Sequence, residues 1–321
     1  MDTALHTMDT ARTHDVVVVG GGPAGLNGAM MLARSLRSVV VVDSGLPRNA
    51  PADAAHGLFA RDGVAPAELL ATGREEVRRY GGTVLHGEVV GARRSGGGFA
   101  VTLADGTALG ARRLLVTTGL DDVLPDVPGL AQGWGADVVH CPYCHGYEVR
   151  DRPIAVLGTA PGSAHQALLF RQLSADVVYA THTVGPTPEQ RERFDALGIT
   201  VVDGPVGEVV RSDGAVTGLV TPSGVVAREI VAVATRMEAR AGFLAELGLV
   251  PVEHPSGMGR HLVADATGAS TVEGVWLAGN VTDPGAQVGA AAAAGAFAGA
   301  AINADLVEAG ALAALREVAH L

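Results

Sequence analysis

The chain has 321 residues, 48% of them hydrophobic and only 4% aromatic, with a formal net charge of −11. That length predicts about two domains with ample apolar core. All 23 basic residues are Arg, against 34 acids, and no basic cluster stands out; this argues against nucleic acid or an anionic membrane as a partner and favours small molecules.

The first segment, MDTALHTMDTARTH, lacks the apolar stretch of a signal peptide and reads as a disordered tail over 1–14. The longest small apolar run, from about Val288 to Ile302, falls short of the roughly 20 residues that span a bilayer. A soluble, cytoplasmic protein is expected. Thiols stay reduced in that compartment, so a lone CxxC points to catalysis or metal binding before a structural disulfide.

DVVVVGGGPAGLNGAMMLARSLRSVVVVD then carries the first strong pattern. Val16 to Val19 form a β-branched run suited to a strand buried on both faces. Gly20, Gly22 and Gly25 follow at GxGxxG spacing, a helical segment comes next, and a second strand, Val39 to Val42, ends at Asp43. The three glycines serve a tight turn, a close approach to pyrophosphate and close helix packing, and an acid at the end of the second strand binds a ribose. Strand, turn, helix and acid in this order predict a dinucleotide site.

From Thr83 to Val116, strand-like runs alternate with turns at Gly96 to Gly98 and Asp105-Gly106, predicting a small antiparallel meander and a return strand ending at Thr118-Gly119. LPDVPGL marks a boundary, and HCPYCHGYE follows with both cysteines of the chain, Cys141 and Cys144, between His140 and His145. Two thiols at this spacing can cycle between dithiol and disulfide. The alternative, zinc, would crowd four ligands onto six residues with no second ligand pair to complete the set, so no metal site is expected. His86, His182, His254 and His261 have no partner motif.

A second strand, glycine turn and helix occurs at IAVLGTAPGSAHQALLF, but Ala160 takes the middle glycine's place and the loop has one residue too many before Ser163. No arginine lies between Arg171 and Arg191 to meet an NADPH 2′-phosphate. The unit is expected to persist as structure without its cofactor. The last third, GVWLAGNVTDPGAQVGAAAAAGAFAGAAI, predicts a strand, a turn at Gly279-Asn280, a loop through Asp283 and a small-residue helix able to pack very close to another backbone.

The order GGGPAG, TTG, CPYCHG, broken second loop and AGNVTD resembles the low-molecular-weight thioredoxin reductases, and more closely their offshoot, the FAD-dependent dithiol oxidases that close disulfides in natural products such as holomycin, gliotoxin and romidepsin. CPYCHGYE is the sharpest match, because the reductases usually carry Asp where this chain has His145. The resemblance implies an α/β fold of two Rossmann-like dinucleotide-binding domains of the class II pyridine nucleotide-disulfide oxidoreductase type. The FAD domain would be split over 15–119 and 246–321, with a degenerate NAD(P)H-like domain at 120–245 carrying the CxxC. It also implies a homodimer, a small-molecule dithiol substrate and oxygen as acceptor.

By the same resemblance FAD lies against Gly20, Gly22, Pro23, Ala24, Gly25, Asp43, Ser44, Arg48, Asn49, His56, Val89, Thr118, Gly119, Gly279, Asn280, Gln287 and Val288. Cys141 would take the substrate, Cys144 would face the flavin, and His140, oriented by Asp283, would be the base. Asn280 replaces the reductases' Asp at the ribityl chain but can still hydrogen-bond a hydroxyl. Two other readings are an NADPH-dependent thioredoxin reductase, which needs the arginine-bearing site missing here, and a flavin-binding redox sensor without turnover.

Overall fold

A computed structural model describes residues 13–319. In chain order the elements are β1 (Thr13–Val19), α1 (Pro23–Arg34), β2 (Val39–Asp43), α2 (Pro66–Arg79), β3 (Thr83–His86), β4 (Val89–Ser95), β5 (Gly98–Leu103), β6 (Ala108–Val116), β7 (Leu120–Val123), β8 (Val138–Val139), α3 (Pro142–His145), β9 (Ile154–Leu157), α4 (Ser163–Leu173), β10 (Val177–Ala180), α5 (Pro188–Leu197), β11 (Thr200–Val202), β12 (Glu208–Ser212), β13 (Ala215–Thr221), β14 (Gly224–Ala227), β15 (Ile230–Val233), β16 (Arg236–Ala239), β17 (Val252–Glu253), β18 (Gly259–His261), β19 (Val275–Leu277) and α6 (Val288–Ala319). Of the expected tail, residues 1–12 lie outside the described residues, whereas Thr13 and His14 belong to β1, where they pair with Gly110 and Ala111 of β6.

The apolar runs become central strands for the reason their composition suggests. Val17 and Val19 enter one core and Val16 and Val18 the other, and β2 divides the same way, Val40 and Val42 against Val39 and Val41. A strand that fills two cores must be apolar at every position. β1, β2, β3, β6 and β19 form a parallel sheet in the order β3-β2-β1-β6-β19, and β4 and β5 extend β6 as the antiparallel meander. The second unit repeats the plan: β11-β10-β9-β15-β8 is all parallel, and β12 to β14 form a second meander. The fold is thus the expected α/β pair of Rossmann-like units.

Two departures concern boundaries. The chain crosses between the units twice, along β7 and β16, which pair antiparallel. Ala241 and Leu244, expected in the second unit, sit in the core of the first with Val17 and Leu114, because the chain has already crossed back. The second departure is α6, which continues past the apolar run of Val288 to Ile302 as far as Ala319. By length and composition alone it could cross a membrane, yet its first half interlocks with α1. A Cβ on Gly295 would lie 1.9 Å from the Ala24 carbonyl oxygen, and one on Gly299 would lie 2.6 Å from that of Gly28. Only glycines permit so close a crossing.

Candidate active site

One cavity of about 310 Å³ runs from the end of β2 across the first glycine turn to the CxxC. Its floor is the β1–α1 turn. Gly20 has φ +106, and a Cβ there would strike the Thr117 carbonyl, so a residue with a side chain is excluded on both counts. Gly22 caps α1 in extended conformation with no side chain accepting from the first-turn amides, and a Cβ on it would meet nothing within 4 Å. Uncapped amides at the open end of a 12-residue helix suit a pyrophosphate. Asp43 lines the cavity, its Oδ1 accepting from the Gly45 amide at 3.0 Å and its Oδ2 3.4 Å from Arg74. This floor fits FAD.

Most expected contact residues line this cavity: Gly20, Gly22, Pro23, Ala24, Asp43, Ser44, Arg48, Asn49, His56, Thr118, Gly119, Gly279, Asn280, Gln287 and Val288. Gly25 does not, because its role is packing: a Cβ there would lie 1.9 Å from the Gly20 carbonyl oxygen. Val89 does not either. It lies in β4, pairs with Leu103 and packs on the first unit's core. Asn280 turns its Nδ2 to the carbonyls of Asp283, Pro284 and Ala286, at 3.0, 3.3 and 2.8 Å. A carboxylate could not donate to these three oxygens, so Asn organises the loop that edges the cavity.

The CxxC closes the far end. Cys141 is the N-cap of the short helix α3, Pro142 its first residue, and the two Sγ atoms lie 2.6 Å apart. The Cys144 thiol donates to Cys141, and with the Tyr143 and Cys144 amides and the Arg48 charge this lowers the Cys141 thiol from 9.0 to about 7 against the opposing effect of burial. Cys144 is pushed up by the same hydrogen bond, by burial and by the charge on Cys141. In the reduced pair Cys141 is therefore the sulfur that ionises more readily and Cys144 the one that keeps its proton.

His140 lines the cavity beside them, but its expected partner is elsewhere. Its Nδ1 lies 3.0 Å from the Val233 carbonyl and so carries the proton, leaving Nε2 as the basic nitrogen. Asp283 is exposed, and its Oδ1 caps the Gly285 amide at 3.0 Å; the His140–Asp283 dyad is not formed, because the loop turns that carboxylate outward. The carboxylate that acts on His140 is Asp122. Burial is the largest influence and lowers the His140 pKa, so the imidazole is neutral near pH 7. His145 also lines the cavity, with both ring nitrogens buried and without a partner among the described residues.

Asp122 was missed. It sits in LDDV, directly after the TTG turn, and an acid inside a short apolar strand was its only signal. Its side chain, 7% exposed, receives Arg48 at 2.7 and 2.8 Å and the Thr235 hydroxyl at 2.6 Å.

The second glycine loop differs in kind. The amides of Thr159 and Ala160 donate to Ser163 Oγ at 3.2 and 3.1 Å, and the Thr183 and Val184 amides close on the Gly158 carbonyl at 3.0 and 2.8 Å. Donors that would face a pyrophosphate are used within the loop. α4 instead supports the thiol segment, Gln166 donating to the His140 carbonyl at 2.6 Å.

With the site assembled, its relatives can be placed. The pyridine nucleotide-disulphide oxidoreductase family matches residues 14–298. The chain belongs to that family, whose members typically bind FAD, and is an oxidoreductase of its type. The crystal structure of HlmI superimposes with a TM-score of 0.90 over 97% of this chain and 99% of that one, at 44% identity. The crystal structure of an oxidoreductase from Agrobacterium tumefaciens gives 0.86 at 32% identity, covering 92% and 99%. Among curated proteins, thioredoxin reductase tcpT of Claviceps purpurea is 40% identical over 174 residues, which are 52% of this chain and 54% of tcpT. Thioredoxin reductase sirT of Leptosphaeria maculans is 38% identical over 140 residues, 42% and 43% of the two chains. The chain thus spans about half the length of the curated relatives it matches. The resemblance to thioredoxin reductase-like enzymes is borne out.

Proposed function

We propose that this protein is an FAD-dependent dithiol oxidase that closes an intramolecular disulfide in a small-molecule dithiol, passing electrons through Cys141 and Cys144 to FAD and then to oxygen, with hydrogen peroxide as by-product and no need of NADPH. The observation that carries this reading is one cavity shared by the CxxC and the first glycine turn, while the second loop spends its amides on Ser163. FAD, when bound, supplies a two-electron acceptor that oxygen can reoxidise. We further propose that the protein is a cytoplasmic homodimer.

The chain's own residues account for the thiol chemistry. The cycle starts with Cys141 and Cys144 joined as a disulfide. His140 Nε2 takes the proton from one substrate thiol, and that sulfur attacks Cys141, breaking the Cys141–Cys144 bond and releasing Cys144 as thiolate. Cys144 then takes the proton held by His140, and the freed Nε2 accepts the proton of the substrate's second thiol, which attacks the substrate sulfur of this mixed disulfide. The product disulfide forms and Cys141 departs as thiolate, a good leaving group because its neighbours favour that charge. The two electrons now reside on the reduced pair, on the cavity side.

The test is oxygen consumption and peroxide formation by the purified yellow protein with a small dithiol in air. Turnover without NADPH is expected; no consumption across a set of dithiols, with flavin bound, would sink the reading.

A further inference from the structure

The two faces of α6 meet different surroundings. Gly295, Ala298, Gly299, Ile302 and Leu306 are buried against the first unit, and the last polar ties to it are Arg37 Nε to Asn303 Oδ1 at 2.7 Å and Arg113 Nε to Asp305 Oδ2 at 2.5 Å. Beyond Leu306 no described residue of the helix is buried. Residues 307–319 therefore run on as an arm of about 20 Å, at 1.5 Å of rise per residue.

The opposite face is apolar along almost the whole helix, and it is open to water. Phe297, Ala300, Ala304, Val307, Ala311, Leu315 and Val318 recur at intervals of three or four, which places them in one stripe, and all are exposed: Phe297 by 61%, Val307 by 56%, Leu315 by 66% and Val318 by 70%. Charged residues enter the sequence after Ile302, but none falls on this stripe; Glu308 stands at its edge. A helical end of this length is marginal in water without packing, and a row of large apolar side chains along it marks a surface that another molecule covers.

The spacing of the stripe indicates which molecule. About a midpoint between Val307 and Glu308 the stripe matches itself in reverse. In a second chain running antiparallel, Val318 falls opposite Phe297, Leu315 opposite Ala300 and Ala311 opposite Ala304. Leu315, the largest side chain of the arm's stripe, thus meets a small one with room for it. A lipid surface fits less well, because an interfacial helix is rich in Lys and Arg on its polar face, whereas the arm has Glu308 and Glu317 against Arg316 in a chain of net charge −11. The first half of α6 is also held on α1 by Gly295 and Gly299 and is not free to enter a bilayer.

We propose that the exposed face of α6 is the interface of a two-fold dimer, in which the 307–319 arm of each protomer covers Phe297, Ala300 and Ala304 of its partner. This rests on the homodimer reading above and assigns the surface that forms it.

The test is sedimentation velocity of the flavin-loaded, full-length protein over a dilution series, with flavin absorbance and thermal unfolding to confirm that each variant is folded. Wild type is expected to sediment as a dimer. Ala300→Glu and Leu315→Arg each put a charge into the apolar seam and are expected to raise the dimer Kd by about tenfold or more. The variant carrying both sets a carboxylate opposite a guanidinium across the two-fold axis and is expected to recover most of the lost affinity. Within one chain the two positions are about 22 Å apart along the helix, so they can meet only between copies. Weakening by each single substitution with recovery in the double supports the proposal. A dimer untouched by the single substitutions would leave the homodimer reading standing and overturn this interface, and a wild-type monomer would overturn both. Weakening without recovery would overturn the antiparallel pairing. Flotation of wild type, but not of Leu315→Arg, with phosphatidylcholine–phosphatidylglycerol vesicles would assign the stripe to lipid and overturn the proposal.

Discussion

Two chemically identical thiols three residues apart differ in acidity because one donates to the other. Cys141 collects a hydrogen bond from Cys144 and two backbone amides at the start of α3, whereas Cys144 is buried next to a developing negative charge. In the reduced protein Cys141 should therefore be alkylated first, with a midpoint near its lowered value of about 7. Cys144→Ser should form a mixed disulfide between Cys141 and the disulfide form of the substrate, the Cys141 thiolate attacking one sulfur and releasing the other as a thiol, while passing no electrons to the flavin, and mass spectrometry would read the adduct. A trapped adduct on Cys144 in the reciprocal variant, with none here, would reverse the roles. His140→Ala should lower turnover by roughly 10²-fold near pH 7 and recover at high pH, where substrate thiols ionise unaided. Burial depresses the His140 pKa below 6.5, so the wild-type acid limb should also lie below 6.5. The same burial carries a stability consequence. Between the depressed folded value and 6.5 the unfolded chain binds more protons, so this imidazole's contribution is lost as pH falls through that window. The reacting residues were legible in the sequence because three of them, His140, Cys141 and Cys144, lie in one run. Asp122 and Asp283 exchanged places in the reading because a carboxylate's reach depends on how a distant loop folds, which local pattern does not encode.

Helices and strands show the same division between local and non-local information. GGGPAG could be read directly, since turn, helix start and terminal acid are neighbours in sequence. The small-residue helix α6 was recognisable as a close-packing element, but its partner, α1, and its full length were not; after Ile302 the small residues mix with charged ones and the apolar pattern fades. The contact gives a paired prediction within one helix. Gly295→Ala would push a methyl into the Ala24 backbone and should destabilise the protein by about 1–3 kcal/mol. Gly310→Ala meets nothing within 4 Å and should stabilise by roughly 0.5–1 kcal/mol through helix propensity alone. Thermal unfolding of the two variants checks the pair. Equal effects would mean that the α1–α6 crossing is looser than described.

For the whole molecule, the decisive contrast is between two glycine turns on the same plan. The first leaves its helix amides uncapped over an open cavity, and the second turns the loop amides of Thr159 and Ala160 onto Ser163 and covers Gly158 with the 181–184 segment. The missing arginine was visible in sequence. The serine's occupation of the loop was not, since a hydroxyl at that position reads equally well as a helix cap. A nicotinamide dinucleotide would have to displace Ser163 from the Thr159 and Ala160 amides and the 181–184 turn from Gly158 to reach the loop's donors, and it would then find no arginine on β10 or in the turn after it for a 2′-phosphate. The CxxC, by contrast, already faces the first cavity, clamped there by Arg48 and Asp122 and by Arg240, which reaches both Asp121 and the Leu46 carbonyl. The expected outcome is directional. Under anaerobic conditions a small dithiol should bleach the flavin absorbance of the purified protein, whereas NADPH at the same concentration should leave it unchanged on the timescale of turnover. Stopped-flow absorbance with each reductant separates the cases. Rapid, stoichiometric bleaching by NADPH would mean that the second loop opens for the nucleotide, and the enzyme would then run its electrons toward the thiols as a reductase.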